Sequence, residues 1–259
     1  MTDPPVLRFR GRDGVELAYR EMGDGRPLVL LHGFIASGTQ WIDHGPAAGL
    51  AAHGHRVILA DLRGHGHSAR PHDPARYPPD VLTDDGFALL EWLGLGDYDL
   101  GGYSLGAQVV ARMLVRGARP ARAIRAGAGL DAITRAGTRG GRHHRVLTTL
   151  ANGDTVQPGS PDADFAYWVT QLAGDPLALV HVLDTHVATP RAALRQIATP
   201  TLVAVGDRDD DHAAADALAA TLPHAQFTRV PGDHFTALAA SELATAMLRF
   251  LNDRPHQPR

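Results

Sequence analysis

The sequence predicts an α/β fold: a mainly parallel sheet covered by helices on both faces. Three observations carry this. Short apolar runs recur along the 259 residues, and most are continuous rather than alternating, the pattern of strands buried on both faces. Helical patterns separate the runs, which is the order of βαβ crossovers. One stretch, from Asp131 to about Ile197, breaks the rhythm with helix-like pieces and no strong strand run.

The elements follow in chain order. Val6–Gly11 and Val15–Gly23 flank Arg12-Asp13-Gly14, and their alternation around an Asp-Gly turn predicts an antiparallel hairpin. Pro27–Gly33 (PLVLLHG) and His55–Leu62 (HRVILADL) are buried-strand runs, with a helix over Pro46–His53 between them. A second helix is predicted over Asp80–Leu93, where Val81, Leu82, Phe87, Leu89, Leu90 and Leu93 are apolar. Tyr98–Tyr103 is the next strand, and Leu105–Gly117 the next helix, with Gly117 as its C-terminal stop. Ala121–Leu130 is a weaker strand run. In the interruption, Phe165–Leu172 and Leu177–Val187 read as helices between the loop-like segments TRAGTRGGR and NGDTVQPGSPDAD. Thr199–Asp207 and Gln226–Gly232 are the last strands, and Ala213–Leu222 and Ser241–Leu251 the last helices. The tail NDRPHQPR reads as solvated.

Composition narrows the function classes. The chain is 44% hydrophobic and 20% charged, enough for a sizeable core. Its formal net charge of −3 gives no basic field for nucleic acid or an anionic membrane. All 25 basic residues are Arg, which reads as genome bias rather than a binding surface. The absence of Cys removes disulfides, thiolate metal sites and a Cys nucleophile. The N-terminus lacks the apolar segment of a secretory signal, and no apolar run approaches the roughly 18 residues that span a bilayer. A cytoplasmic protein with a small-molecule substrate is the expectation, with no signal for an oligomeric state.

The chemistry centres on GYSLG. Ser104 stands between Gly102 and Gly106, after a strand and before a helix. In that context G-x-S-x-G is a sharp turn that presents the serine hydroxyl, with glycines where backbones pass close. A serine nucleophile needs a base, and the base an orienting acid. GDRDDDH follows the Thr199–Asp207 strand, so Asp207, Asp209, Asp210 and Asp211 compete for the acid role. Asp209 is chosen, three residues past Gly206, where a strand-end loop can turn inward. Asp211 fits a helix N-cap instead, and Asp131 is a structural competitor. His234 is the base candidate, as the histidine between the last strand and the final helix; His212 reads as a helix-start residue and His224 as an exposed loop residue. A tetrahedral oxyanion needs two backbone N–H donors. Leu105, after the nucleophile, offers one, and Phe34 in LHGF the other, with His32 a structural residue of that loop. His65 and His67 lack a third ligand, and no metal or other cofactor is expected. His143, His144, His181 and His186 read as surface or pocket residues of the insertion.

Together these motifs resemble the α/β-hydrolase family. LHGF at 31–34, DLRGHGHS at 61–68, GYSLG at 102–106, GDRD at 206–209 and PGDH at 231–234 occur in the family's order. The resemblance implies an α/β-hydrolase fold: a mostly parallel eight-stranded sheet with helices on both faces and a helical cap inserted after the sixth strand. Residues 1–130 and 198–259 would form the core and 131–197 the cap. It implies Ser104 as nucleophile, His234 as base and Asp209 as acid. Ser rather than Asp at the turn argues against epoxide hydrolases and haloalkane dehalogenases. The expected activity is cofactor-independent hydrolysis of a carboxylic ester or lactone. The alternatives are a pyruvate-eliminating lyase of menaquinone-pathway type, C–C bond hydrolysis and perhydrolysis. The lyase would need arginines for substrate carboxylates, and Arg122, Arg125, Arg135, Arg139, Arg142 and Arg145 are candidates. Trp41, Tyr103, Tyr167, Trp168 and Phe235 are candidates for pocket lining or core.

Overall fold

A computed structural model describes residues 4–135, 141–212 and 214–253, and the backbone but not the side chain of Asp211. Its strands are β1 (Leu7–Arg10), β2 (Glu16–Met22), β3 (Arg26–Leu31), β4 (His55–Asp61), β5 (Asp99–Tyr103), β6 (Ala123–Ala126), β7 (Thr201–Gly206) and β8 (Ala225–Val230). They form one eight-stranded sheet in the order β1-β2-β4-β3-β5-β6-β7-β8. The pairings β1–β2 and β2–β4 are antiparallel and the rest parallel. The hairpin closes around Gly14 at φ 81°, a backbone conformation that glycine adopts without strain.

Strand alternation divides the core into two layers. Leu28, Leu30, Val57, Leu59, Leu202 and Ala204 face one side, and Val29, Leu31, Ile58, Ala60, Val203 and Val205 face the other. The helices α1 (Gln40–Asp43) and α2 (Ala47–Ala52) cover the first side together with α11 (Ser241–Asn252), through Trp41, Leu50, Met247 and Phe250. The second side is covered by α3 (Val81–Trp92), α4 (Leu105–Val115) and α10 (Ala215–Thr221), through Leu89, Val110, Met113 and Leu218. The runs of β3, β4 and β7 are therefore apolar on both faces because both faces are roofed, whereas β1 and β8 at the sheet edges keep exposed residues.

Helix α4 ends as the sequence predicts. Gly117 takes φ 107°, and the N–H groups of Gly117 and Ala118 return to the carbonyls of Leu114 and Met113, a Schellman arrangement. The weak run Ala121–Leu130 shortens to the four residues of β6, because Gly127 turns the chain at φ 61°. Between β6 and β7 the described residues form helices and loops alone: α5 (Leu130–Thr134), α6 (Arg142–Ala151), α7 (Ala163–Gln171), α8 (Pro176–Asp184) and α9 (Arg191–Leu194). A small apolar cluster of Leu147, Val169 and Leu179 joins α6, α7 and α8 to Ile35 on the loop after β3. Arg139, Ala213 and residues 254–259 of the tail lie outside the described residues, as does the side chain of Asp211; the helix near it starts at Ala215 with Ala214 as its N-cap residue.

Candidate active site

Ser104 sits where β5 ends and α4 begins, with φ 52° and ψ −112°, a conformation that an L-residue adopts only under strain. The flanking glycines are sterically required. A Cβ on Gly102 would lie 2.3 Å from the carbonyl carbon of Gly106, and one on Gly106 would lie 2.2 Å from the Leu31 carbonyl oxygen. The Ser104 N–H donates to Ala126 O at 2.9 Å and the Gly106 N–H to His32 O at 3.0 Å, which ties the turn to the neighbouring strand ends.

Three side chains from three strand-end loops converge here. His234 Nε2 lies 3.0 Å from Ser104 Oγ, and His234 Nδ1 lies 2.9 Å from Asp209 Oδ2. A carboxylate only accepts, so Nδ1 carries the proton, and Nε2 is left as the acceptor for the serine hydroxyl. The Asp209 side chain is fully buried. Burial by itself would raise its carboxyl, but the hydrogen bonds from His212 and His234 outweigh burial and hold it well below the usual carboxylate range. Tyr103 fixes the histidine loop from behind: its buried hydroxyl donates to His234 O at 2.7 Å. Asp233 closes that loop by accepting from the N–H groups of Phe235 and Thr236.

The loop after β3 faces the serine. A Cβ on Gly33 would stand 3.5 Å from Ser104 Cβ. Gln40 Oε1 accepts the Gly33 N–H at 2.9 Å, which sets the peptide planes of this loop. Neither the Phe34 nor the Leu105 N–H donates to another described residue. His32 is fully buried; its Nδ1 donates to Gly33 O, its Nε2 accepts the Leu62 N–H, and burial pushes its imidazole down. It is a strut of the loop, as the sequence implies. His65 is likewise buried, with its imidazole pushed down to about 3 by burial. In the DLRGHGHS loop, Asp61 accepts the N–H groups of Gly38 and His67 and so joins this loop to the one after β3.

Two of the rival acids are occupied elsewhere. Asp207 Oδ1 accepts the Gly232 N–H, and Asp131 pairs with Arg135 on α5. Of the arginines considered for carboxylate binding, Arg125 is buried beneath α4, and Arg122, Arg135 and Arg142 bond to oxygens of Asp253, Asp131 and Asp162. Trp41 and Tyr103 belong to the core, whereas Tyr167, Trp168 and Phe235 are exposed. Trp168 of α7 stacks on Phe235 at 6.4 Å, and the Phe235 ring lies 5.7 Å from His234. Phe34 stacks on Phe165 of α7 at 6.4 Å. Aromatic contacts thus tie α7 to the His234 loop and to the loop after β3.

Sequence reasoning missed His212. It lies in the 3-10 turn Asp210–His212, its Nδ1 is 2.9 Å from Asp209 Oδ1, and its ring stacks on His234 at 4.4 Å. No local pattern signals this, because the partner carboxylate is reached only after the strand-end loops close together. Asp209, His212 and His234 each bring one ligand-capable atom within 4.8 Å of the others, and a catalytic zinc site commonly takes three protein ligands. Both Nδ1 atoms face oxygens of one carboxylate, so the group is complete as a set of hydrogen bonds.

Residues 26–179 match the sequence profile of the alpha/beta hydrolase fold. A non-heme haloperoxidase of Rhodococcus erythropolis is 31% identical over 76% of this chain and 80% of its own length. The non-heme chloroperoxidase CPO-A1 of Kitasatospora aureofaciens is 42% identical over 40% of this chain, and that match spans only 37% of its length. Among solved structures, an esterase of Rhodococcus superposes with a TM-score of 0.74 at 26% identity, over 96% of this chain and 98% of the esterase.

Proposed function

The chain belongs to the alpha/beta hydrolase fold family, and from that premise we propose that it is a cofactor-independent serine hydrolase cleaving a carboxylic ester or lactone. The observation that carries this reading is one unbroken chain of hydrogen bonds, Asp209 to His234 at 2.9 Å and His234 to Ser104 at 3.0 Å, ending on a strained turn. Ser104 Oγ attacks the ester carbonyl as His234 Nε2 takes its proton. The carbonyl oxygen becomes an oxyanion held by the Phe34 and Leu105 N–H groups, each such donor supplying about 3 kcal/mol of transition-state stabilisation. Asp209 steadies the imidazolium. His234 then gives the proton to the departing alkoxide, leaving an acyl ester on Ser104. Water, deprotonated by the same imidazole, attacks that ester and releases the acid. Residues 131–197 act as the cap over this site, and residues 1–130 and 198–259 as the core that carries it.

The haloperoxidase relatives favour a second reading on the same machinery. Hydrogen peroxide replaces water in the last step, and the acyl group leaves as a peracid. One assay separates the readings: p-nitrophenyl esters and lactones are offered with and without peroxide, to the parent and to Ser104→Ala. The hydrolase reading expects turnover in water alone and a loss of about a thousandfold or more in Ser104→Ala. Near-parental turnover by Ser104→Ala would contradict both readings; no turnover in water alone, with peracid formed when peroxide is added, would favour the second.

A further inference from the structure

A buried carboxylate that serves one histidine usually has a spare oxygen. Here the spare oxygen of Asp209 is taken by a second imidazole. His212 Nδ1 meets Oδ1 and His234 Nδ1 meets Oδ2, each at 2.9 Å. The carboxylate accepts only, so His212 donates its Nδ1 proton, as His234 does. The two rings lie 18° from parallel at 4.4 Å, so His212 also covers a face of the His234 ring. His212 comes from the turn after β7 and His234 from the loop after β8, so the contact is tertiary.

We propose that His212 is a positioning residue for the reaction above: it fixes the Asp209 carboxylate through one oxygen and holds the His234 ring in plane by stacking. The inference rests on the hydrolase reading and deepens it. It has an electrostatic consequence with one sign. A donor on Oδ1 withdraws charge from the carboxylate, so Asp209 attracts the His234 proton less strongly. Removing His212 leaves both oxygens of Asp209 to His234 and so strengthens the carboxylate's hold on the imidazolium. The other titratable and charged groups on the elements about the pair are Arg208 and Asp210 on the same loop, Asp233 on the His234 loop, the neutral Tyr103 behind it, and the exposed pair of Asp131 on α5 with Arg135 just after it. Among the described residues only Asp209 hydrogen-bonds to both imidazoles.

The test uses two variants of the full chain, both checked for parental unfolding behaviour. His212→Phe keeps a ring for stacking and removes the donor; His212→Gln keeps a donor and removes the ring. Activity toward a p-nitrophenyl ester is measured against pH, with burst titration by a fluorophosphonate to count active serines. The acid limb of kcat/KM should move to higher pH in His212→Phe. Its kcat should fall about tenfold with KM unchanged, since His212 lies behind the reacting atoms. His212→Gln should restore the limb but not the full kcat. A profile and kcat matching the parent in His212→Phe would overturn the inference, as would a limb moving to lower pH. If the parent itself fails to label with the fluorophosphonate, the hydrolase reading fails instead, so the two failures are distinguishable.

Discussion

At the scale of the residue, the feature that organises the site is the backbone of Ser104. A non-glycine residue at φ 52° and ψ −112° stores on the order of 1–3 kcal/mol of strain. The surroundings enforce it: Gly102 and Gly106 leave no room for the chain to relax around it, and the Ser104 N–H is bonded to Ala126 O. A glycine at this position adopts the same dihedral angles freely, at an entropic cost of roughly 0.5–1 kcal/mol in the unfolded chain. Ser104→Gly is therefore expected to be more stable than Ser104→Ala by about 1 kcal/mol in urea unfolding, with both inactive. A less stable Ser104→Gly would remove strain from the account. Ser104 and His234 are legible because a strand–turn–helix context and a place before the final helix single them out. Asp209 is picked from four neighbouring aspartates by its distance past Gly206. His212 is not legible, because its role depends on a ring from another loop lying 4.4 Å away.

At the scale of the element, strands that are apolar on both faces announce themselves, and β3, β4 and β7 lie where their runs predict. The helices between β6 and β7 are harder to read. Helix α6 begins with Arg142, His143 and His144 and buries only Val146 and Leu147 fully, so its sequence lacks a broad apolar stripe. Helix α5 has five residues, too few for a period to show. These helices matter because α7 brings aromatic rings to the serine side of the sheet. Trp168 and Phe235 stack across the boundary between α7 and the His234 loop while remaining 45% and 70% exposed, an arrangement suited to a flat apolar group of a substrate. Trp168→Ala should lower kcat/KM for an aryl ester relative to an acetyl ester roughly three- to tenfold. Equal losses on both esters would show that the pair is structural. No helix among the described residues is long and apolar enough to cross a membrane.

At the scale of the whole molecule, the topology explains why groups separated by 130 residues meet. Parallel strands β3, β5, β7 and β8 all end at the same edge of the sheet, so the loops that follow them share one rim. β5 delivers Ser104, β7 delivers Asp209 and His212, β8 delivers His234, and β3 delivers Phe34 beside the serine. Close contacts at the rim hold these loops together: Gly206 approaches Gly232 with no space for a Cβ, and Asp207 accepts the Gly232 N–H at 2.9 Å. The order of elements and the parallel sheet follow from sequence periodicity; the convergence follows only once the strand order is known. On the proposed function, this rim activates one serine. The most direct measurement treats the parent and His234→Ala with a fluorophosphonate and maps the adduct by peptide mass spectrometry. A single rapid adduct on Ser104 is expected in the parent, with labelling slowed by about a thousandfold or more in His234→Ala. An unlabelled parent, an adduct on another residue, or equal rates in the two proteins would contradict it.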